Sequence, residues 1–463
     1  MSASRKSEGS GRQRFYGSSR ALWWLHPRFA VLYLGLPLLF FAYMMPEDSY
    51  LTLYGAEKHV DLGFVLVGLL VYAGFLAGSF FLVRAGSGSQ EGEVVRYCRW
   101  VVWPLFILTL AGYLIWFASA ALNAGGPGAL AGVLAGSLSN AEGGDTFYIK
   151  QELFRTIPGI TTLTQLGMLY VTAEALLWAN RGCPRRISLL RFSPLLAFTL
   201  VRALTVSERL ALVELMVPIG VVLLSRARWT LARRAFVRFA PLLAGMGMFA
   251  LFALGEYFRS WSTHYQYYYA GPYLNFAAER FLGYYATALN NAAVYYYHAP
   301  IQPLSSTLNS LFEFPVLGSL AYTFYTSSLG VPVASNEQLL TTYANVEFNN
   351  VSMLGMLLND FTIFAAPLAA FVVGMVSFSI YTSFVRGRML GLLLYPSWFI
   401  GLLEISRIYY WPGGRYFPVL AFLAISLILF KLYKAPVTAP AAQKGRGRPV
   451  GGYRDYPEGG LRT

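Results

Sequence analysis

The chain has 463 residues, of which 56% are hydrophobic and 13% charged, and it carries a net charge of +14. Soluble domains carry roughly a quarter charged residues, so a water-facing surface over the whole chain is excluded and the composition points to a polytopic integral membrane protein. The positive charge is then a question of distribution across a membrane and not a sign of nucleic acid.

Residues 1–28 form a basic tail with Arg5, Lys6, Arg12, Arg14, Arg20 and Arg28, suited to anionic lipid. Spanning a bilayer takes about 20 mostly apolar residues. That criterion predicts helices at 29–45, 61–83, 100–120, 160–180, 190–205, 208–225, 239–257, 358–384, 389–404 and 416–433. The first run ends in Pro46-Glu47-Asp48 and not in a small-residue cleavage site, so it reads as a retained helix. The fifth and sixth helices form a tight pair around Arg202 to Arg209 and could be one broken element. Two external segments are long: 121–159, rich in Gly and Ala, and 258–356. A loop as long as the second carries function or secondary structure of its own, and short helices are expected in it, some along the membrane interface. Residues 435–463 are rich in Gly, Pro, Lys and Arg and read as disordered. The expected organisation is a membrane domain over 29–434 between two cytoplasmic tails.

Lys and Arg are retained on the cytoplasmic side of membrane proteins. With the N-terminus inside, 27 of the 36 basic residues fall in cytoplasmic segments and nine outside. An odd helix count would place the basic C-terminal tail outside. Cys98 and Cys183 fall in cytoplasmic segments, where reduced thiols and no disulfide are expected.

The nine external basic residues are Lys58, Lys150, Arg155, Arg202, Arg209, Arg259, Arg280, Arg407 and Arg415. Several of the arginines stand at predicted helix ends. If the helices pack together, these guanidiniums converge at the outer membrane boundary, where their planar forks of donors suit phosphate oxygens. Snorkelling or salt-bridged arginines are the structural alternative. Glu256 precedes Arg259 by three residues, and Glu404 precedes Arg407 by three, so each could form an i,i+3 pair. Eleven tyrosines lie between Tyr257 and Tyr297, together with Trp261, His264 and His298. Such a segment suits sugar rings, and it equally suits an interfacial aromatic belt. Glu208, Glu256, Asp360 and Glu404 are predicted near the same boundary. Any of them could deprotonate a sugar hydroxyl or neutralise a neighbouring Arg. The four histidines show no metal-ligand spacing, and no glycine motif for nucleotides sits between a strand and a helix. No metal and no cofactor is expected.

Two stretches carry a family likeness. In Thr205-Val-Ser-Glu-Arg-Leu-Ala-Leu-Val-Glu-Leu, an external Arg opens an outside-to-inside helix. Asn345-Val-Glu-Phe-Asn-Asn leads to Leu358-Asn-Asp-Phe and an apolar helix. With the hydropathy profile and the large late loop, these stretches resemble the Wzy-type oligosaccharide repeat-unit polymerases of O-antigen and exopolysaccharide synthesis. The chain departs from that pattern at Thr362, where the family often has Gly, and around Ala365-Ala366, where a second Gly is replaced. The spacing from Arg209 to Gly220 also fits a family pattern, but in a chain this rich in Arg and Gly it carries no weight.

The resemblance implies an all-α, GT-C-like integral membrane fold and a glycosyltransferase on the outer face of the bacterial cytoplasmic membrane. Its substrate would be undecaprenyl diphosphate-linked oligosaccharide, with membrane lipids, a flippase and a chain-length regulator as further partners. Arg202, Arg209, Arg259, Arg280, Arg407 and Arg415 would bind substrate with Tyr257, His264 and Tyr284. One of Glu208, Glu256, Asp360 and Glu404 would be the base. Three alternatives stay open: an O-antigen ligase, a glycosyltransferase using polyprenyl monophosphate sugars with Glu47 and Asp48 as its acids, and a transporter or flippase using Glu174 and Glu214 within its helices.

Overall fold

A computed structural model describes residues 20–81, 89–139, 149–180, 182, 184–205, 208–226, 231–262, 265–314, 317–329 and 336–434. Both tails, apart from the stretch from Arg20 on, lie outside these residues, as do Cys183 and His264. Among the described residues the regular structure is helical, with no strand.

The apolar runs become helices because a helix satisfies its own backbone hydrogen bonds where no water can. A π-helical turn, Ala30–Gly35, leads into α1 (Leu36–Met44), and α2 (Glu47–Tyr54) follows at a 96° bend. Pro46 stands at the bend as the residue before α2, where its missing N–H costs nothing. Next come α3 (Leu62–Gly78), α4 (Glu91–Asn123) and α5 (Pro127–Ser139). A 3₁₀ turn at Thr161–Leu166 opens α6 (Gly167–Ala179). The segment around Arg202 to Arg209 separates two packed helices, α7 (Arg185–Thr205) and α8 (Leu210–Arg226). Then follow the short α9 (Leu231–Arg238) and the apolar α10 (Ala240–Glu256).

The long segment 258–356 is more ordered than expected. It holds α11 (Tyr273–His298), a 26-residue helix that packs on α1 and α10. From Ala286 to Val294 every residue of α11 is buried, Asn290 and Asn291 included. Those amides are satisfied: Asn290 donates to the Glu57 carbonyl at 2.7 Å, and Asn291 donates to the Phe348 and Asn350 carbonyls at 2.6 and 2.9 Å. Shorter helices follow: α12 (Ser305–Phe312), α13 (Leu317–Leu329) and α14 (Asn336–Tyr343). The bundle closes with α15 (Met353–Val385), α16 (Met389–Leu403) and α17 (Phe417–Lys434).

Helices α4, α7 and α15 are long and apolar enough to cross a membrane, and α1 with α2 would be so as one unbent helix. Helices α3, α10, α16 and α17 are shorter and apolar. The most extensive packing joins α3 to α15. A methyl group added at Gly74, Gly78 or Gly374 would collide with a carbonyl of the facing helix, at Pro367, Phe371 and Phe75 respectively. Helices in lipid associate through such close contacts between small residues, since no hydrophobic force drives them together.

One break interrupts α15. Thr362 has φ 62° and ψ 170°, a left-handed value that a β-branched side chain resists. Leu304, just before α12, has φ 62° as well. The two strained residues flank one junction, Leu304 directly before α12 and Thr362 two residues after Asp360. There Asp360 accepts hydrogen bonds from the backbone N–H groups of Ser306 and Thr307, both at 2.8 Å, and from the Thr307 hydroxyl at 2.7 Å. Its carboxylate thus caps α12 from 54 residues away in the chain.

Candidate functional site

Five of the arginines predicted to be external, Arg202, Arg209, Arg280, Arg407 and Arg415, gather in three linked groups. The first joins α7, α8 and the loop between α16 and α17. Arg202, near the end of α7, donates from Nε to Glu208 Oε2 at 2.7 Å, and its Nη2 contacts the same oxygen. Arg415 Nη2 lies 3.3 Å from that oxygen, and its Nη1 lies 3.3 Å from Glu214 Oε2. The Tyr410 hydroxyl donates to Glu214 Oε1 at 2.9 Å. Burial works to raise the Glu208 pKa, but the Arg202 and Arg415 guanidiniums outweigh it and hold it at about 2. Beside this group a narrow cleft touches Thr164, Thr199, Arg202 and Glu214, with room for about one water.

The second group starts one residue later in the chain. Arg209 Nη2 donates to Glu256 Oε1 at 2.9 Å. The other oxygen of Glu256 accepts from the Ser260 hydroxyl at 2.6 Å and lies 3.8 Å from Arg280 Nε. Arg280 in turn binds Glu347 through Nη2 at 2.5 Å. The side chain of Glu256 is fully buried, whereas that of Glu347 is 44% exposed.

The third group confirms one expected pair: Arg407 Nη1 bonds Glu404 Oε2 at 2.9 Å across i,i+3. The Arg407 guanidinium lies 5.9 Å from the Tyr284 ring centre. Tyr284 also packs against Phe252 and Phe348, whose ring centres are 5.5 and 5.7 Å away. Phe252 lies under Arg209 at 4.4 Å and Phe348 under Arg280 at 5.0 Å. Tyr284 is therefore the aromatic hub between the second and third groups. Arg407 and Arg415 share one loop and are close enough for their charges to oppose each other.

Arg202, Arg209, Arg280, Arg407, Arg415, Tyr284, Glu208, Glu256 and Glu404 thus come together. Asp360 does not join them. Its carboxylate accepts from Ser305, Ser306 and Thr307 at the start of α12 and acts there as a helix cap. Glu256 has Arg209 and Arg280 as partners; its expected pair with Arg259 falls on a side chain outside the described residues, as does all of His264. Tyr257 stacks edge-on to Tyr273 at 5.2 Å and sits at the rim, 42% exposed. Its neighbours Trp261, Tyr265, Tyr273 and Phe276 pack on one another, so much of the tyrosine-rich segment is a small aromatic core.

Glu47 and Asp48 are exposed in the first turn of α2, where carboxylates favour the helix dipole. Glu174 pairs with Arg191 at 2.7 Å, buried between α6 and α7. Three site residues escaped the sequence assignment, Tyr410, Glu347 and Thr164, and Glu214 entered it only as a carboxylate of the transporter alternative. Glu347 carried a signal, since it lies inside the Asn345-led segment. Glu214 carried another, a lone carboxylate in an apolar run.

Each carboxylate bond uses one or two of the five donors of a guanidinium, leaving others for oxyanions. The arrangement can fix several Arg forks in place and hold carboxylates beside them. No protein-family model, no curated protein and no solved structure matches this chain.

Proposed function

We propose that the protein is a membrane glycosyltransferase that polymerises undecaprenyl diphosphate-linked oligosaccharide repeat units, in a GT-C-like bundle of about ten membrane spans. One observation carries the reading: Arg202, Arg209, Arg280, Arg407 and Arg415, scattered over the sequence, gather in carboxylate-braced groups in an apolar bundle. Braced guanidiniums lose little freedom when they meet a diphosphate, and their fixed charge stabilises a diphosphate leaving group.

In this reading the acceptor sugar hydroxyl attacks the anomeric carbon of the donor glycan. A carbon–oxygen bond forms to the acceptor, and the bond from the anomeric carbon to the diphosphate oxygen breaks. The hydroxyl proton passes to a carboxylate, and the diphosphate leaves as an anion held by the arginines. Glu347 is the carboxylate best placed to meet an acceptor, because it is the most exposed of the group and Arg280 orients it. Glu256 is sealed, and Glu208 is held ionised and weakly basic by two arginines.

The test is to incubate the purified protein with lipid-linked repeat units and look for a ladder of polymer. Arg415→Ala and Arg280→Ala should cut turnover by about 100-fold each. No ladder with authentic substrate overturns the reading. The buried Glu174–Arg191 pair favours one second reading, a flippase, because ionisable pairs inside membrane bundles mark transport paths. A deletion strain that accumulates single lipid-linked repeats on the inner leaflet would support that instead.

A further inference from the structure

The segment from Phe314 to Asn336 contains no charged residue, yet it holds a helix, α13, with a large apolar stripe uncovered. Leu320 is 67% and Phe324 74% exposed, and i,i+4 spacing sets them on one outward face. The opposite face is anchored: Tyr325 is buried, packs against Phe312 and donates its hydroxyl to the Pro303 carbonyl at 2.9 Å. A helix in water covers such a stripe or dilutes it with charge.

The polar atoms of α13 point the same way. Thr323 Oγ1 donates to the Ser319 carbonyl at 2.8 Å, Thr326 Oγ1 to the Tyr322 carbonyl at 3.0 Å and Ser327 Oγ to the Phe324 carbonyl at 3.1 Å. Three hydroxyls on a surface helix thus satisfy themselves on its own backbone and need no water. The stripe also continues the apolar bundle. Phe314, between α12 and α13, meets Phe417 at a ring distance of 6.2 Å, and Phe417 opens the apolar α17.

We propose that α13 is a membrane-docking helix whose Leu320 and Phe324 insert among lipid acyl chains in the leaflet at the Arg415 end of the bundle. It is joined to the functional loop, since the Ser310 hydroxyl of α12 bonds the Pro412 carbonyl, three residues before Arg415. Lipid contact and the Arg415 loop therefore belong to one packed unit. The seat of α13 is independent of any enzymatic activity.

The experiment uses the full chain in proteoliposomes, on a Cys183→Ser background in which the buried Cys98 is retained. Leu320→Cys and Phe324→Cys are compared with Glu337→Cys, an exposed position at the start of α14. A membrane-impermeant maleimide should label the first two about tenfold more slowly than the third. A bimane label introduced at 320 or 324 before reconstitution should be quenched by brominated acyl chains, and one at 337 should not. Equal labelling rates without quenching would place the helix in water and overturn the proposal. Slow labelling without quenching, with disulfide cross-links between two copies at 324, would make the stripe a protein interface and overturn it equally.

Discussion

Glu208 and Arg209 are joined by one peptide bond and serve different groups. Glu208 turns toward Arg202 and Arg415, while Arg209 reaches Glu256, 47 residues along the chain. The entry to α8 is thus the point where two of the Arg groups are tied together, and its geometry fixes their relative position.

Removing the Glu208 charge should take a carboxylate from two guanidiniums at once, leaving Arg415 with Glu214 alone. Breaking a buried pair from one side costs about 3 kcal/mol or more, less at a partly open site, so Glu208→Gln should destabilise the protein by about 2 kcal/mol. The pH dependence has a defined sign. Glu208 has a depressed pKa, so its contribution is complete above the ordinary value of 4.5 and is lost as the pH falls toward about 2. Thermal unfolding in detergent should show a constant gap between wild type and Glu208→Gln from about pH 5 to 8, closing at lower pH. A gap that closes near neutrality would rule out a doubly braced, ionised Glu208.

Gly255 offers a probe of the second group that leaves every charge in place. A Cβ there would stand 3.0 Å from Arg209 Nη2 and 3.1 Å from its Nε. Gly255→Ala should therefore shift the guanidinium by a few tenths of an ångström against Glu256. Alanine is the better helix former by up to about 1 kcal/mol, so stability should change little. If Arg209 holds substrate, KM for the lipid-linked glycan should rise several-fold with the fold intact by circular dichroism. Unchanged KM would take Arg209 out of the substrate site.

Much of the bundle was legible because apolar runs and charge placement are local signals. The run predicted at 389–404 is α16, Met389–Leu403, and that at 416–433 is α17, Phe417–Lys434. The run at 100–120 was too short. Helix α4 begins at Glu91, since an amphipathic turn with Tyr97 and Cys98 buried continues it beyond the apolar stretch. The local i,i+3 pair of Glu404 with Arg407 could be read from spacing alone. The Glu208–Arg415 contact could not, because it spans 207 residues and depends on how α8 packs. The buried half of α11 escaped for a related reason. Its tyrosines and asparagines look solvent-facing in sequence, and only the carbonyls of distant loops reveal what satisfies them.

Thr362 tests whether the break in α15 is a true left-handed turn. Its φ 62° with ψ 170° is a conformation Gly adopts without strain. Thr362→Gly should stabilise the protein by about 1 kcal/mol, net of the entropy that Gly adds to the unfolded chain. Thr362→Ala keeps a Cβ and should give no such gain. Denaturation of both variants in the same detergent separates the outcomes, and a destabilised Thr362→Gly would contradict the strained geometry.

Glu347 is the decisive residue for the proposed chemistry. Glu347→Gln keeps an oxygen for Arg280 and removes the group that would take the acceptor proton. Loss of a general base lowers turnover by about 100-fold or more, while binding is kept. In the ladder assay kcat should therefore fall and KM stay near the wild-type value. Glu404→Gln is the matched comparison, since Glu404 also holds an Arg but its side chain is only 7% exposed. If Glu404→Gln loses turnover and Glu347→Gln keeps it, the proton goes to Glu404. Glu347 would then serve only to orient Arg280, as Glu208 orients Arg202.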